Sequence, residues 1–338
     1  MPGAALTPSA AEPDEGSGPR EALTLPPALI ARFRDDLAAL AGPSAHIGLA
    51  VSGGPDSLAL LLLAAACGSP VEAASVDHGL RPEAAAEAQM VASLCARLGV
   101  PHAILPLQPP LKGNVSVWAR EARYAALEAW RVEQGLDFLA TAHHADDQLE
   151  TLVMRLNRGA GISGMAGIRP SRGAIIRPLL SWRKAELQAL VADAGLTAAE
   201  DPSNVDDRFD RARVRKALTA ADWLDSAAAS RTAAALASAE EALIWAAARA
   251  AETRVSRATG SPLTLDPAGL PFELVRRLVI ACLREIAPDA RPRDDEIHRM
   301  IAQLQQGNTA TLGGVKGMGG AVWRFTPAPP PRPIAIKS

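Results

Sequence analysis

Hydrophobic and polar positions follow two periods along the first two hundred residues of the chain. Short apolar runs bounded by turn residues predict five strands, at residues 47–51, 71–76, 102–107, 138–142 and 174–178. Helical patterns lie before, between and after these runs, at residues 28–40, 56–67, 83–98, 115–133, 145–156 and 183–194. Strands that alternate with longer helices are typical of βαβ units, so we predict an α/β fold with a parallel five-stranded sheet and helices on both faces.

The rest of the chain has a different pattern. An alanine-rich stretch at residues 222–255 predicts a long helix, and shorter helices follow at residues 273–285 and 294–305. Glycines at residues 311–325 predict a β-hairpin in a smaller, mainly helical C-terminal domain. We therefore expect a disordered tail, a main domain, a helical linker with the small domain, and a final tail, at residues 1–24, 25–216, 217–330 and 331–338.

Composition excludes several classes of protein and of site. The 338 residues include 35 Lys and Arg against 37 Asp and Glu, so any contact with a polyanion must come from a local basic patch. The longest apolar run, residues 58–67, is too short to span a membrane, and no signal-peptide pattern is found, so we expect a cytoplasmic protein. Three cysteines without a C-x-x-C pair exclude a disulfide framework and a cysteine-rich zinc module.

The strongest candidate for chemistry connects the first strand to the following helix. It consists of Ser52, Gly53, Gly54, Pro55, Asp56 and Ser57. Two glycines allow a tight turn, and the N–H groups at the helix start favour a phosphate. A carboxylate at Asp56 would repel that phosphate unless a divalent cation lay between them. An ordinary helix N-terminus is the alternative reading, and the absence of a lysine excludes a Walker A loop.

The string SGGPDS after the first strand resembles the S-G-G-x-D-S signature of the PP-loop ATP pyrophosphatase family. This resemblance implies that ATP is cleaved between its α- and β-phosphates. It further implies that AMP is transferred to an oxygen of the substrate, that pyrophosphate leaves, and that a nucleophile then displaces AMP.

Polar side chains also follow the second and fourth strands. Asp77 and His78 lie where a glycine turn would let the backbone read the edge of an adenine, although a plain β-turn is the alternative. On a helix, the spacing of His143, Asp147 and Glu150 would place them on one face. The two carboxylates could hold Mg²⁺ or a substrate ammonium, and His143 could donate to an α-phosphate. Acidic residues in a first turn also favour the helix dipole, so a structural role stays open.

Two basic features complete the set of candidates. Arg123 lies in a helical pattern and would be a clamp for phosphate or substrate, or one member of a solvated, ion-paired helix face. Residues 208–216 contain five basic residues and one acidic residue, which makes them a candidate contact for a polyanion. A charge run of this kind is more often a solvated surface.

In combination, these strings are similar to the bacterial tRNA(Ile)-lysidine synthetase family. The matching strings occur in order and are SGGPDS, VDHGLRPEA, REARYAAL, AHHADDQLETLVMRLNRGAG, IRPLL and EDPSN–DDRFDRARVR. The resemblance implies adenylation of the C2 oxygen of the wobble cytidine in a tRNA(Ile) with a CAU anticodon. The ε-amine of L-lysine then attacks C2 and expels AMP, which gives lysidine.

The resemblance also implies roles for individual residues. The SGGPDS residues would bind the ATP phosphates, with Asp56 and Asp147 directed to Mg²⁺. His143 and Arg123 would contact the transferring phosphoryl group or the cytidine, and Asp147 and Glu150 would contact metal or lysine.

Arg215 corresponds to the arginine that ends the family's N-x-[IL]-R pattern and would contact the substrate. The asparagine of that pattern is Ala212 here, so its role is missing or is supplied by another residue such as Asn204.

Other readings remain open at this point. A thiolation enzyme of the same superfamily would need nearby cysteines, yet Cys67 and Cys95 fall within apolar helix patterns and are expected to be buried. GMP and NAD synthetases share the loop but not the other strings. A non-catalytic RNA-binding module on the same fold is the alternative from a different class of protein.

Overall fold

The computed structural model describes residues 25–79, 82–108, 115–199, 210–221, 223–257 and 262–329. The predicted tails and the EDPSN segment lie outside the described residues. The chain divides into two compact units, one up to Ala237 and one from Ser238. This division falls inside a long helix, whereas the sequence pattern places the boundary between residues 216 and 217.

The first unit contains a six-stranded sheet. Its strands are β1 (Ile47–Ala50), β2 (Val71–Asp77), β3 (His102–Pro106), β4 (Phe138–Ala140), β5 (Ser171–Arg172) and β6 (Ile175–Ile176). Their order across the sheet is β3-β2-β1-β4-β6-β5, and all neighbours are parallel except β5 and β6. The predicted five-stranded parallel sheet is confirmed as β3-β2-β1-β4-β6, and β5 adds an antiparallel edge strand that the pattern did not indicate, because the chain turns back at Gly173, which has a φ of 58°.

Helices cover this sheet on both faces, as predicted. The helices from the start of the described chain to the one in which the two units divide are α1 (Pro27–Ala41), α2 (Pro55–Ala66), α3 (Pro82–Leu98), α4 (Val115–Glu133), α5 (Ala145–Leu156), α6 (Ile162–Met165), α7 (Lys184–Asp193), α8 (Asp210–Thr219) and α9 (Ser226–Arg254). Residues 58–64 of α2 are fully buried, and this helix packs with α1, α3 and α7. On the opposite face, Trp130 of α4 packs so close to β1 that a Cβ at Gly48 would lie 2.6 Å from its ring.

The second unit contains more sheet than the sequence predicts. After α9 come β7 (Val255–Ser256), β8 (Leu263–Leu265), α10 (Phe272–Ile286), α11 (Asp294–Gln305), β9 (Thr309–Leu312), β10 (Val315–Met318) and β11 (Trp323–Pro327). The strands form an antiparallel sheet in the order β7-β8-β11-β10-β9. The predicted hairpin is present as β9 and β10, but β7 and β8 are too short to produce a pattern.

The cysteines are unpaired. Cys95 and Cys282 are buried, and burial raises the pKa of each thiol to about 12. Cys67 is half-buried at the end of α2, so the expectation of full burial is wrong for this residue. Within the described part of the chain, we find no helix with the length and apolar character that crossing a membrane requires.

Candidate active site

The topology brings two of the predicted motifs together. The chain runs from β1 to β2 and β3 on one side of the sheet, and β4 and β6 lie on the other side of β1. In open parallel sheets, ligands bind beyond the carboxyl ends of the strands at such a reversal of strand order. The SGGPDS loop (residues 52–57) follows β1, and the residues after β4 lie next to it because β1 and β4 are parallel neighbours.

The SGGPDS loop is held in shape by its own hydrogen bonds. Gly53 has a φ of 85°, a backbone conformation that side chains with a Cβ rarely adopt, and its carbonyl accepts from the N–H of Ala199 at 3.0 Å. The Ser57 hydroxyl donates to the carbonyl of Gly54 at 2.9 Å and accepts from the N–H of Ser52 at 3.1 Å. Ser57 therefore braces the loop from within, in addition to any contact with a ligand.

The N-terminus of α2 has features that suit an anion and a cation together. The helix begins at Pro55 after Gly54, and no side chain caps its first turn. Its N–H groups can therefore donate to an anion, which the helix dipole also favours. In the same turn, Oδ1 of Asp56 is buried without a hydrogen-bond partner among the described residues.

His144 joins this turn to α5. The residue is 2% exposed and is the N-cap of α5, where Nδ1 accepts from the N–H of Asp147 at 3.3 Å. In return, Oδ2 of Asp147 accepts from the N–H of His144 at 3.1 Å, which completes a capping box. Nε2 of the imidazole lies 3.4 Å from Oδ2 of Asp56. Burial lowers the pKa of His144, but the Asp56, Asp147 and Asp146 carboxylates outweigh it and raise the pKa overall.

The two predicted carboxylates of α5 are paired with arginines of α8. Arg211 donates from Nη2 to Oδ1 of Asp147 at 2.7 Å and from Nε to Oε2 of Glu150 at 2.8 Å. Arg215 donates from Nε to Oε1 of Glu150 at 2.7 Å. Burial opposes ionisation of Asp147, but the nearby positive groups lower its pKa overall. The four groups form a charge-balanced cluster, which we call the Arg–carboxylate cluster.

His143 lies outside the helix that was predicted to carry it. Because α5 begins at Ala145, the prediction that His143 shares a helical face with Asp147 and Glu150 is wrong. Its Nδ1 instead lies 2.9 Å from the hydroxyl of Thr141 in the connection that follows β4. The fold nevertheless keeps His143 within electrostatic range of the Asp147 carboxylate.

The electrostatic environment of His143 is positive. Burial is the largest influence and, together with the charges of Arg177, Arg211 and Arg123, it lowers the pKa of His143 to about 4 against an opposing effect of Asp147. His143 is therefore neutral at pH 7. The same three arginines would attract an anion placed beside the imidazole.

This shift predicts how stability depends on pH. In the unfolded chain the imidazole takes up a proton as the pH falls below its ordinary pKa of 6.5, whereas in the folded chain it does so only near 4. Folding stability therefore falls as the pH drops from 6.5 towards 4. Between pH 7 and pH 5 the free energy of unfolding should therefore decrease in the wild type. We expect this decrease to be about 1–2 kcal/mol smaller in His143→Asn, whose amide can still form a hydrogen bond with Thr141.

Urea unfolding at several pH values measures this difference. His46→Asn, at an exposed position, is the control. An unaltered pH dependence in His143→Asn would contradict the assignment.

The other predicted residues lie at the same edge of the sheet or on a neighbouring helix. Asp77 ends β2, and its Oδ1 accepts from the N–H of Gly79 at 2.9 Å, so its side chain stabilises the turn on which His78 lies. Arg123 lies on α4, with its guanidinium 5.3 Å from the centre of the Tyr124 ring.

Sequence reasoning did not single out His144, Arg177 or Arg211. Asp147 three residues after His144 forms a capping pattern that could have identified the N-cap, although with an unusual capping residue. Arg211 precedes Arg215 by one helical turn, a spacing that places both on one face. Arg177 was visible only as part of the IRPLL string; it is 9% exposed, and its Nη1 donates to the carbonyl of Arg169 at 2.7 Å.

The family asparagine position, Ala212, is buried on α8. Asn204, the suggested substitute, lies outside the described residues.

The donor set at this edge fits a magnesium ion that is completed by phosphate oxygens. Within the described residues, no group of three or more His, Cys, Asp or Glu is arranged to hold a metal. Mg²⁺, however, is usually bound by one or two carboxylates together with substrate phosphates and water. The unpartnered Oδ1 of Asp56, at a helix N-terminus suited to phosphate, meets that requirement, and the Asp147 carboxylate lies close by, since Nε2 of His144 is 3.4 Å from Oδ2 of Asp56 and 3.6 Å from Oδ2 of Asp147.

Comparison with known proteins finds one matching protein family and relatives that align over most of the chain. Residues 30–221 match the family described as the PP-loop domain. A tRNA(Ile)-lysidine synthase from Zymomonas mobilis is 43% identical over 296 residues, which cover 85% of this chain and 90% of that protein. A second tRNA(Ile)-lysidine synthase, from Novosphingobium aromaticivorans, is 46% identical over 308 residues, with coverage of 88% and 93%.

Solved structures support the fold. A U34-tRNA thiolase from Methanococcus maripaludis, with its [4Fe-4S] cluster, superimposes with a TM-score of 0.51. The two sequences are 18% identical, and the match covers 61% of this chain and 77% of the thiolase chain. At that identity the likeness concerns the fold alone.

Proposed function

Since this chain belongs to the tRNA(Ile)-lysidine synthase family, we propose that it joins L-lysine to the wobble cytidine of a tRNA(Ile) with a CAU anticodon. ATP is consumed as a substrate and gives AMP and pyrophosphate. In the first step the C2 oxygen of the cytidine attacks the α-phosphorus, and pyrophosphate leaves. In the second step the ε-amine of lysine attacks C2, and AMP leaves with the former C2 oxygen.

The observation that carries this proposal is the meeting of the SGGPDS loop and the Arg–carboxylate cluster at one crevice. His144 connects them, since it contacts Asp56 on one side and caps α5 through Asp147 on the other. ATP activates C2 of the cytidine, and the lysine amine then attacks the same carbon. The loop that binds ATP and the site that binds lysine must therefore lie close together.

In this proposal the SGGPDS loop holds the triphosphate through the N–H groups of Gly53, Gly54 and the first turn of α2. Asp77 and His78, at the end of the adjacent strand β2, lie on the side of the loop where the adenine is bound. Asp56, together with Asp147, would hold Mg²⁺, which when bound neutralises charge on the phosphate oxygens.

The transferring phosphoryl group lies near His143 and Arg123 in this arrangement. Neutral His143 can use its second ring nitrogen as a hydrogen-bond donor when Nδ1 accepts from Thr141. Arg123 and Arg177 add positive charge around it. Negative charge that develops on the α-phosphate oxygens in the transition state is stabilised by such fixed donors and cations.

The lysine substrate is a cation that must become a neutral nucleophile. Asp147 and Glu150 attract its ammonium group, while the arginines paired with them keep the cluster neutral. Burial and the nearby arginine charges, which together lower the pKa of His143, also disfavour a protonated amine beside it. Lysine therefore binds as an ammonium and releases one proton to water as it approaches the cytidine, with Arg215 as a substrate contact.

The proposal predicts a dual requirement for pyrophosphate release. Release over many turnovers is expected only with both L-lysine and a tRNA(Ile) transcript that carries a CAU anticodon, and radiolabelled lysine is expected to enter the RNA. A transcript with uridine at the wobble position is the matched control and should accept no label. Multiple-turnover pyrophosphate release that is independent of lysine, with no label incorporated, would point to a different nucleophile.

No observation favours the alternatives. A thiolation site of the cysteine-dependent type lacks support, because Cys95 and Cys282 are buried with pKa values raised to about 12 and Cys67 is unpaired. RNA binding without any pyrophosphate release under the conditions above would indicate a non-catalytic RNA-binding module.

A further inference from the structure

His144 is a buried polar side chain to which the proposed function assigns no chemical task. Only 2% of its surface is exposed, and it lies between the first turn of α2 and the first turn of α5. Each turn carries one of the carboxylates proposed to hold the metal, Asp56 and Asp147. A single ring thus contacts both halves of the site.

The two ring nitrogens have different partners. Nδ1 accepts from the N–H of Asp147 at 3.3 Å, so in the neutral ring the hydrogen is carried by Nε2. Nε2 faces Oδ2 of Asp56 at 3.4 Å and Oδ2 of Asp147 at 3.6 Å. The backbone of α5 therefore selects the tautomer that can donate to Asp56.

Contact with one oxygen of Asp56 determines where the other oxygen lies. With Oδ2 held by the imidazole, rotation of the carboxylate is restricted, and Oδ1 is left buried without a partner among the described residues. A carboxylate that binds a metal or orders water at a phosphate needs this kind of restraint from an outer residue.

We propose that His144 is a positioning residue, which orients Asp56 towards the triphosphate and ties that carboxylate to the N-terminus of α5. This inference rests on the proposed function and deepens it, because it makes the geometry of the ATP site depend on the element that carries the lysine site. The residue touches no substrate itself and acts through Asp56 and Asp147.

If His144 had a purely structural role, it would only cap α5. Two substitutions separate this capping role from the positioning of Asp56. Asparagine places its amide oxygen near the position of Nδ1, and it is a favourable N-cap, but it does not reach Asp56. Glutamine extends its amide nitrogen to about the position of Nε2, where it can donate to Asp56, but it is not a preferred N-cap residue.

The positioning role predicts that, of the two variants, the more stable one is the less active one. His144→Asn is expected to melt close to the wild type, yet its kcat/KM for ATP should fall about 10- to 100-fold, as is typical when an outer-shell partner is lost. KM for tRNA should not change. His144→Gln is expected to melt about 2–4 °C lower and to stay within a few-fold of wild-type kcat/KM.

A second readout does not depend on turnover. Binding of a non-hydrolysable ATP analogue to the full chain, with and without Mg²⁺, should lose its magnesium enhancement in His144→Asn and keep it in His144→Gln. Wild-type kcat/KM and analogue binding in His144→Asn would overturn the inference, as would activities that follow the melting temperatures in both variants. If the wild type incorporated no lysine, the proposed function would fail, and analogue binding would still decide the role of His144.

Discussion

Asp56→Asn is expected to lower lysine incorporation into tRNA(Ile) by about 10²- to 10³-fold, the loss found when a group that stabilises transition-state charge is removed. Asparagine keeps the shape of the side chain but removes the negative charge at the first turn of α2. The buried Oδ1, which has no partner among the described residues, is then replaced by a neutral atom or an N–H that repels a cation. The magnesium ion that Asp56 would hold beside the triphosphate then loses a carboxylate ligand.

The experiment compares labelled lysine in the transcript for the wild type and for Asp56→Asn at saturating ATP. Asp137→Asn is the matched control, because Asp137 is exposed and its side chain accepts from the N–H of His46 at 2.9 Å. An asparagine oxygen can accept that bond equally well. Incorporation that is unaffected in Asp56→Asn would remove Asp56 from the mechanism.

Glu150→Gln is expected to release α8 from α5. The Glu150 side chain is 5% exposed and accepts from Nε of Arg211 at 2.8 Å and from Nε of Arg215 at 2.7 Å. Glutamine removes the charge and directs an amide N–H at one guanidinium. Both guanidinium groups are only half-buried, but the loss of charge-assisted hydrogen bonds to the buried Glu150 carboxylate still costs about 1–3 kcal/mol, which corresponds to a roughly 10- to 100-fold larger population with α8 detached.

Trypsin detects this change because α8 contains four basic residues, Arg211, Arg213, Arg215 and Lys216. When opening is fast relative to cleavage, the cleavage rate follows the open population, so cuts within residues 210–219 should be about 10- to 100-fold faster in Glu150→Gln. Lysine incorporation should fall as well. Glu128→Gln is the control, since Glu128 is exposed, pairs within its own helix with Arg131 and lies outside the cluster, and surface ion pairs contribute little. Equal cleavage of α8 in all three proteins would show that Glu150 does not hold this helix.

The location of the site could be predicted from sequence because it depends on strand order and loop chemistry. The glycines of the SGGPDS loop and the acidic residues after β4 are local signals, and parallel strands carry them to the same edge. The periodic pattern that predicts a helix at residues 145–156, which carries Asp147 and Glu150, is also a local signal. It is confirmed by α5, which begins at Ala145. Only His143 was assigned to the wrong element, because two residues of connection precede the helix.

The partners within the site could not be predicted in the same way. Arg211 and Arg215 reach Glu150 across more than sixty residues of chain, and no periodicity specifies a pair of that separation. A pair of adjacent histidines is commonly found at a surface, and no local pattern indicates that His144 is buried and contacts Asp56 almost ninety residues earlier in the chain. Likewise, the strands β7 and β8 of the second unit have two and three residues and take their conformation from the sheet that they join.

The hydrogen bond from Ala199 to the carbonyl of Gly53 has a consequence for biosynthesis. Gly53 leaves the ribosome early, but its partner follows only after all six strands of the first sheet have been synthesised. A nascent chain that has completed β1 and α2 therefore still lacks the hydrogen bond that holds the SGGPDS loop in its nucleotide-binding shape. Competence to bind ATP should arise late in translation, at about the time when the first unit can fold as a whole.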